Sequence, residues 1–192
     1  MANYKIITDS CCDLPVEKIR ALDLSVIPLN LLFRGETRLD AVTDEIKEIY
    51  DGLRAGETAS TSAVNPDGWA SVIEPVLKEG KDALVLCFSS GLSTTYQSAV
   101  IAANELKETY PDRTINVVDT LCASLGQGLL VWLACDKRDA GLSLSEPSDK
   151  RLCQRRRYKH TDKHCKHRHR LSARVAVIIG IDVVRHLLKG EL

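Results

Sequence analysis

The sequence predicts an α/β fold, a mostly parallel sheet flanked by helices, followed by an incomplete or irregular C-terminal segment. Three observations predict it. Apolar runs of strand length alternate with stretches of helical periodicity, and the links between them are short. The chain is 44% hydrophobic but only 5% aromatic, so aliphatic side chains must fill the core. Alternation of this kind argues for strand–helix–strand units and hence for parallel pairing.

Residues 4–8, Tyr-Lys-Ile-Ile-Thr, read as a short buried strand that the chain leaves through Thr8-Asp9-Ser10. Asp13 followed by Pro15 marks a helix start, with proline in the first turn. Residues 24–33 form an apolar, β-rich run around Pro28, a residue that suits an edge strand or a strand end. Thr43 is placed to cap a helix carrying Ile46, Ile49, Tyr50 and Leu53 at helical spacing, ended by Gly56. Thr61-Ser62-Ala63-Val64 reads as a loop. Asn65-Pro66 then opens a helix with Trp69, Val72, Ile73 and Val76 on one face and Gly80 past its end. Residues 83–88 are continuously apolar, as expected of a strand covered on both faces. Ser89-Ser90-Gly91-Leu92-Ser93 leads into a helix from about 94 to 109. Residues 115–118 give the next strand, ending at Asp119-Thr120, and Ser124 starts a helix through Leu125, Leu129 and Trp132 towards Gly141.

In open parallel sheets, ligands lie beyond the carboxyl ends of the strands. Thr8-Asp9-Ser10, Ser89-Ser90 and Asp119-Thr120 all fall at such ends, and Thr61-Ser62 lies in a comparable segment before a helix. Ser89-Ser90-Gly91 sets hydroxyls and backbone N–H groups where a strand becomes a helix, a chemistry that suits a carboxylate or a phosphate. The plainer reading of any one of these serines is a helix cap. Asp9 and Asp119 fit equally well as turn residues, as metal ligands or as the acid–base groups of a phosphoryl- or acyl-transfer enzyme. No Gly-x-x-x-x-Gly-Lys loop is present, and no Gly-x-Gly-x-x-Gly follows the first strand, so nucleotide binding has no motif behind it. All five histidines lie after residue 149, which leaves the earlier serines without an imidazole base and argues against a Ser-His hydrolase. The region calls for no metal and no cofactor.

The net charge of zero hides an asymmetry. Residues 1–149 carry 13 Lys and Arg against 23 Asp and Glu, whereas residues 150–192 carry 13 against 3. The first residues lack an apolar leader core, and no apolar run approaches the roughly 20 residues that a membrane-spanning helix needs. The cysteine count is odd, seven, and Cys11 and Cys12 are adjacent. Together these predict a reduced, cytoplasmic protein.

Several of these segments resemble a known family. Thr8-Asp9-Ser10 with Asp13-Leu14-Pro15 is similar to the opening of DegV-family proteins, and Val26-Ile27-Pro28-Leu29 to that family's second strand. Thr61-Ser62 matches the start of its Thr-Ser-Gln-Pro-Ser segment. Ser89-Ser90-Gly91-Leu92-Ser93, with Thr95-Tyr96-Gln97-Ser98-Ala99, resembles its Ser-Ser-x-Leu-Ser-Gly-Thr-Tyr-x-Ser-Ala segment. Val118-Asp119-Thr120 and Ser124-Leu125-Gly126-Gln127-Gly128 resemble the strand and helix that follow. The resemblance covers about residues 3–145. It departs at Ala63-Val64-Asn65, where the family has Gln-Pro-Ser, and at Thr94, where it has glycine.

The resemblance implies a cytoplasmic bacterial protein of two domains that holds one long-chain fatty acid between them and presents it to a fatty acid kinase, itself non-catalytic. By motif position, Thr61 or Ser62 together with Ser90 hold the carboxylate, Ser93 stands in second rank, and Asp9 and Asp119 lie near the exposed head group. About fifteen buried methylenes at roughly 0.8 kcal/mol each give on the order of 10 kcal/mol gross. Two or three hydrogen bonds to the charged head add about 1.5–3 kcal/mol each. The tail thus supplies most of the affinity and the hydroxyls set its orientation.

Residues 1–148 are therefore expected to form the DegV-like domain. Residues 149–192 are a basic, Arg/His-rich segment that breaks the pattern, since family members continue into a second domain too large to fit here. Basic runs can neutralise phosphates, making a basic-tailed nucleic-acid binder one reading. Cys153, His160, His164, Cys165, His167 and His169 could in principle bind metal, but their spacing matches no standard zinc pattern. The composition changes inside a helical connection and not at a linker, and Tyr158 is the lone aromatic among the basic residues 149–170. Both points favour a truncated or frame-shifted remnant of the second domain over a nucleic-acid partner.

Overall fold

The structure, a computed structural model, describes residues 3–40 and 46–144. Thr43, the 148/149 boundary and the basic segment lie outside the described residues. The chain runs β1 (Tyr4–Asp9), a 3-10 turn (Ser10–Cys12), α1 (Val16–Ala21), β2 (Leu24–Ile27), β3 (Asn30–Phe33), β4 (Glu36–Leu39), α2 (Ile46–Arg54) and β5 (Ala59–Ser62). It continues through α3 (Pro66–Lys78), β6 (Asp82–Cys87), α4 (Thr95–Thr109), β7 (Ile115–Asp119) and α5 (Leu125–Asp139).

Four strands form a parallel sheet in the order β2-β1-β6-β7. Side chains alternate between the two faces of a strand, so the unbroken apolar run of β6 serves two cores. Ile7, Val85 and Cys87 pack on one face with Trp69 and Ile73 of α3 and Ala99 and Ala102 of α4. Tyr4, Ile6, Leu84 and Leu86 pack on the other with Val131, Ala134 and Cys135 of α5. Covered on both sides, the α/β sheet matches the predicted class. At Gly128, α5 approaches the 3-10 turn so closely that a Cβ would run into the Cys12 carbonyl oxygen.

A second sheet, antiparallel and ordered β4-β3-β5, corrects two expectations. The run 24–33 is two strands in different sheets, because Pro28 has no N–H to donate and ends the parallel ladder after Ile27. Residues 61–62 are not loop but the end of β5, where Thr61 pairs with Leu31 and Ser62 with Asn30. Arg34 and Gly35 link β3 to β4 with φ of 52° and 80°, a two-residue turn whose left-handed residues match the twist of the strands. Phe33 lies under α2, against Gly52, where any Cβ would collide with its ring.

Helix starts follow local chemistry. The Asn65 side chain accepts from the Gly68 N–H at 2.8 Å, capping α3 with Pro66 in its first turn. Pro15, by contrast, stands one residue before α1 and not within its first turn. Asp13 closes the 3-10 turn at φ 51°. No helix among the described residues is long and apolar enough to cross a membrane.

Candidate functional site

The carboxyl ends of β1, β6 and β7 bring three loops to one rim. Parallel pairing sets Thr8 beside Leu86, and Cys87 beside Asp119, so each strand releases its chain at nearly the same height. The Thr8 hydroxyl donates to the Leu86 carbonyl at 2.8 Å and accepts from Gln127 Nε2 at 3.0 Å. The Asp9 carboxylate accepts from the Cys11 N–H at 3.1 Å, the Phe88 N–H at 2.8 Å and Gln127 Nε2 at 3.0 Å. Asp9 is fully buried. Burial pushes its pKa up, and the three N–H donors hold it back. Both Asp9 oxygens thus face protein donors and tie β1, β6 and α5 together beneath the rim.

No sequence motif assigns Gln127 this role, although a glutamine in so apolar a helix signals a buried partner. Its Oε1 is buried without a hydrogen-bond partner.

Asp119 is half-buried and works from the next strand end. Its Oδ1 accepts from the Ser90 N–H at 3.1 Å and the Leu121 N–H at 3.0 Å. The Ser89 N–H donates to the Cys122 carbonyl at 3.1 Å, and Ser89 Oγ accepts from Gly91 at 3.3 Å. The amides of Ser89, Ser90 and Gly91, expected to be free for a ligand, are thus taken by the protein. Ser93 Oγ accepts from the Thr95 N–H at 3.2 Å and lies 2.8 Å from Thr95 Oγ1, so it caps the start of α4. Thr120 Oγ1 donates to the Cys87 carbonyl at 2.7 Å. Ser10 Oγ donates to Asp40 at 2.7 Å and accepts from the Leu29 N–H at 3.1 Å. Ser124 donates to Asp13. Within these loops one half-buried hydroxyl, that of Ser90, has no protein partner among the described residues.

The bond between Leu29 and Ser10 draws the start of β3 to the same rim, and the pairing of Asn30 with Ser62 brings the end of β5 with it. Trp69 Nε1 donates to the Thr95 carbonyl at 3.1 Å, which joins the first turns of α3 and α4, the helices that follow Ser62 and Ser90. Thr61 and Ser62 are exposed and, as successive strand residues, point to opposite faces of β5, so they cannot grip one group together.

Other chemistries find little support. Burial and the nearby carboxylates push the Cys11 thiol far up, and burial takes Cys12 to about 11, which keeps both protonated and unreactive. No cluster of metal-ligating side chains occurs among the described residues. Residues 6–17, 82–106 and 114–136 contain no Lys or Arg, so the rim loops offer an anion only neutral donors. Two leucines on these loops and one at the start of α5 are open to solvent: Leu92 at 47%, Leu121 at 57% and Leu125 at 54%. Backbone strain collects here too. Leu121 (φ 52°) and Ser124 (φ 54°, ψ −141°) take conformations that cost a non-glycine residue about 1–3 kcal/mol each.

Comparison with known proteins sets this rim in context. Residues 3–160 match a family model described as an uncharacterised protein of the DegV family. A DegV domain-containing protein of Clostridium perfringens is 40% identical over 148 residues, 76% of this chain and 51% of that protein. Among solved structures, a DegV-family protein from Thermus thermophilus described as fatty-acid-binding is 34% identical, with a TM-score of 0.70 over 79% of this chain and 54% of that one. The fatty acid kinase B3 protein of Streptococcus pneumoniae, loaded with linoleic acid, is 25% identical, with a TM-score of 0.61 over 81% of this chain and 53% of that one. The chain spans about half the length of the curated relatives it matches.

Proposed function

This chain belongs to the DegV family, and from that premise we propose that it binds a long-chain fatty acid and presents it to a fatty acid kinase without catalysis of its own. The observation that carries the reading is the Ser90 hydroxyl. It is half-buried at the strand-end rim and has no protein partner among the described residues, while the hydroxyls around it are engaged. A carboxylate accepts strongly from such a hydroxyl. Thr61 or Ser62 supplies a second donor from β5, and Ser93 serves the helix more than the ligand. The exposed Leu92, two residues from Ser90, offers apolar surface to the hydrocarbon chain, whose burial drives the affinity.

The enzyme reading is weaker on the same geometry. Asp9 has no face towards a substrate, and Asp119 spends an oxygen on two backbone amides. Phosphoryl transfer to the carboxylate is left to the kinase. We place the protein in the cytoplasm, where such a partner and its ATP are found.

Lipid extraction and mass spectrometry of the purified full chain test the reading. A straight-chain fatty acid at close to one per protein is expected, reduced but not abolished in Ser90→Ala. A lipid-free protein that also fails to take up added oleic acid would end the proposal. Acyl phosphate formation on adding a fatty acid kinase and ATP, and none without the kinase, checks the division of labour.

A further inference from the structure

We propose that Asp119 is the positioning residue for the Ser90 hydroxyl, acting on it only through the backbone. This rests on the reading of Ser90 as a donor to the ligand's carboxylate. The β6–α4 loop leaves the sheet at Cys87, whose partner across the ladder is Asp119 itself. Three residues on, the Ser90 N–H is taken by Asp119 Oδ1 at 3.1 Å, and the same oxygen takes the Leu121 N–H at 3.0 Å. One atom thus fixes two adjacent loops relative to each other. The Cys122 carbonyl adds a parallel tie to the Ser89 N–H at 3.1 Å. Leu121 holds a left-handed φ of 52°, a conformation that persists only where the surroundings impose it, and the bond from its N–H to Asp119 does so.

The carboxylate is not needed for its charge. Both accepted bonds fall on Oδ1, which asparagine also offers as an acceptor, and an anionic side chain beside an anionic ligand opposes binding. Asp119→Asn should therefore keep the loop and bind the carboxylate at least as well, whereas Asp119→Ala should release it. Asp119→Glu, which retains the charge but displaces the oxygens by a methylene, should behave like alanine and serves if the alanine variant does not fold.

The test titrates the full chain with oleic acid and with methyl oleate, which has the same tail but no carboxylate. Asp119→Ala is expected to weaken oleic acid about tenfold, the worth of roughly one such hydrogen bond, and methyl oleate less than about twofold. Added to Ser90→Ala, it should weaken oleic acid no further, because coupled residues are not additive. Multiplying effects, an equal loss for the ester, or an Asn variant as weak as Ala would overturn the proposal. Amide hydrogen exchange gives a readout that needs no ligand: Ser90 and Leu121 should exchange faster in Asp119→Ala and unchanged in Asp119→Asn. If the wild type binds neither lipid but the Ser90 amide is freed, the fatty-acid reading falls and the positioning role stands. If the amide stays protected, the positioning role falls whatever the lipids do.

Discussion

Replacing Asp9 by alanine removes the acceptor for three donors at once: the Cys11 and Phe88 N–H groups and Gln127 Nε2, at 2.8–3.1 Å. A buried donor left unpaired costs about 1–3 kcal/mol, so the gross loss is roughly 3–9 kcal/mol. Two effects offset part of it: a desolvated carboxylate is removed, and water can enter the space it vacates. A net loss of about 3 kcal/mol is expected, a large share of the roughly 5–15 kcal/mol that stabilises a domain. With a urea slope near 1.5 kcal/mol per molar, the unfolding midpoint should fall by about 2 M. Urea titration followed through tryptophan emission, to which the fully buried Trp69 contributes, reads the change. A midpoint shift under about 0.5 M would refute the reasoning, since Asp9 would then not be holding β1, β6 and α5 together.

Asp9 also makes a pH prediction. Burial raises its pKa, so the folded state binds the proton more tightly than the unfolded chain. The stability that this tighter proton binding adds is then fully present below the ordinary carboxylate pKa and is lost as pH rises through the raised value. The stability gap between wild type and Asp9→Ala should widen from pH 7 towards about 4; a gap that narrows on acidification contradicts the assignment. Gly128→Ala drives a Cβ into the Cys12 carbonyl and against Leu14, and should cost about 1–3 kcal/mol, visible as a Tm lower by several degrees. An unchanged Tm would mean that α5 does not sit so close. Ser93→Ala loses the acceptor for the Thr95 N–H and should lower stability by about 0.5–2 kcal/mol while weakening oleic acid far less than Ser90→Ala does. Ser90→Ala should do the reverse, and calorimetry of both variants with and without lipid separates the two roles.

The parallel sheet was legible because its strands carry their own signal: short β-rich runs, continuously apolar in β6, with polar residues at their carboxyl ends. The second sheet was not. β4 (Glu-Thr-Arg-Leu) and β5 (Ala-Ser-Thr-Ser) are short and polar, so neither alternation nor hydrophobicity marks them. The turn that joins β3 to β4, Arg34-Gly35, lacks the Asn-Gly or Asp-Gly pair that announces a hairpin. They become strands only by pairing with β3, a fact about distant residues. At the site, the sequence marked the polar strand ends but not which hydroxyls the protein keeps for itself. Ser89, Ser90 and Ser93 look alike in a string of letters. Only the fold shows Ser93 capping α4, Ser89 holding Gly91, and Ser90 left open. Asp9 was ambiguous for the same reason, since its three donors come from three elements.

The grip of Ser90 on an acid group is most directly read from the acid itself. Oleic acid labelled with carbon-13 at its carboxyl carbon, bound to the full chain, is titrated by NMR in wild type and Ser90→Ala. A hydroxyl donating to the ionised form lowers its pKa, so the bound carboxyl should titrate at lower pH on the wild type than on the variant. Identical titrations on the two proteins, or a resonance from free lipid alone, would contradict it.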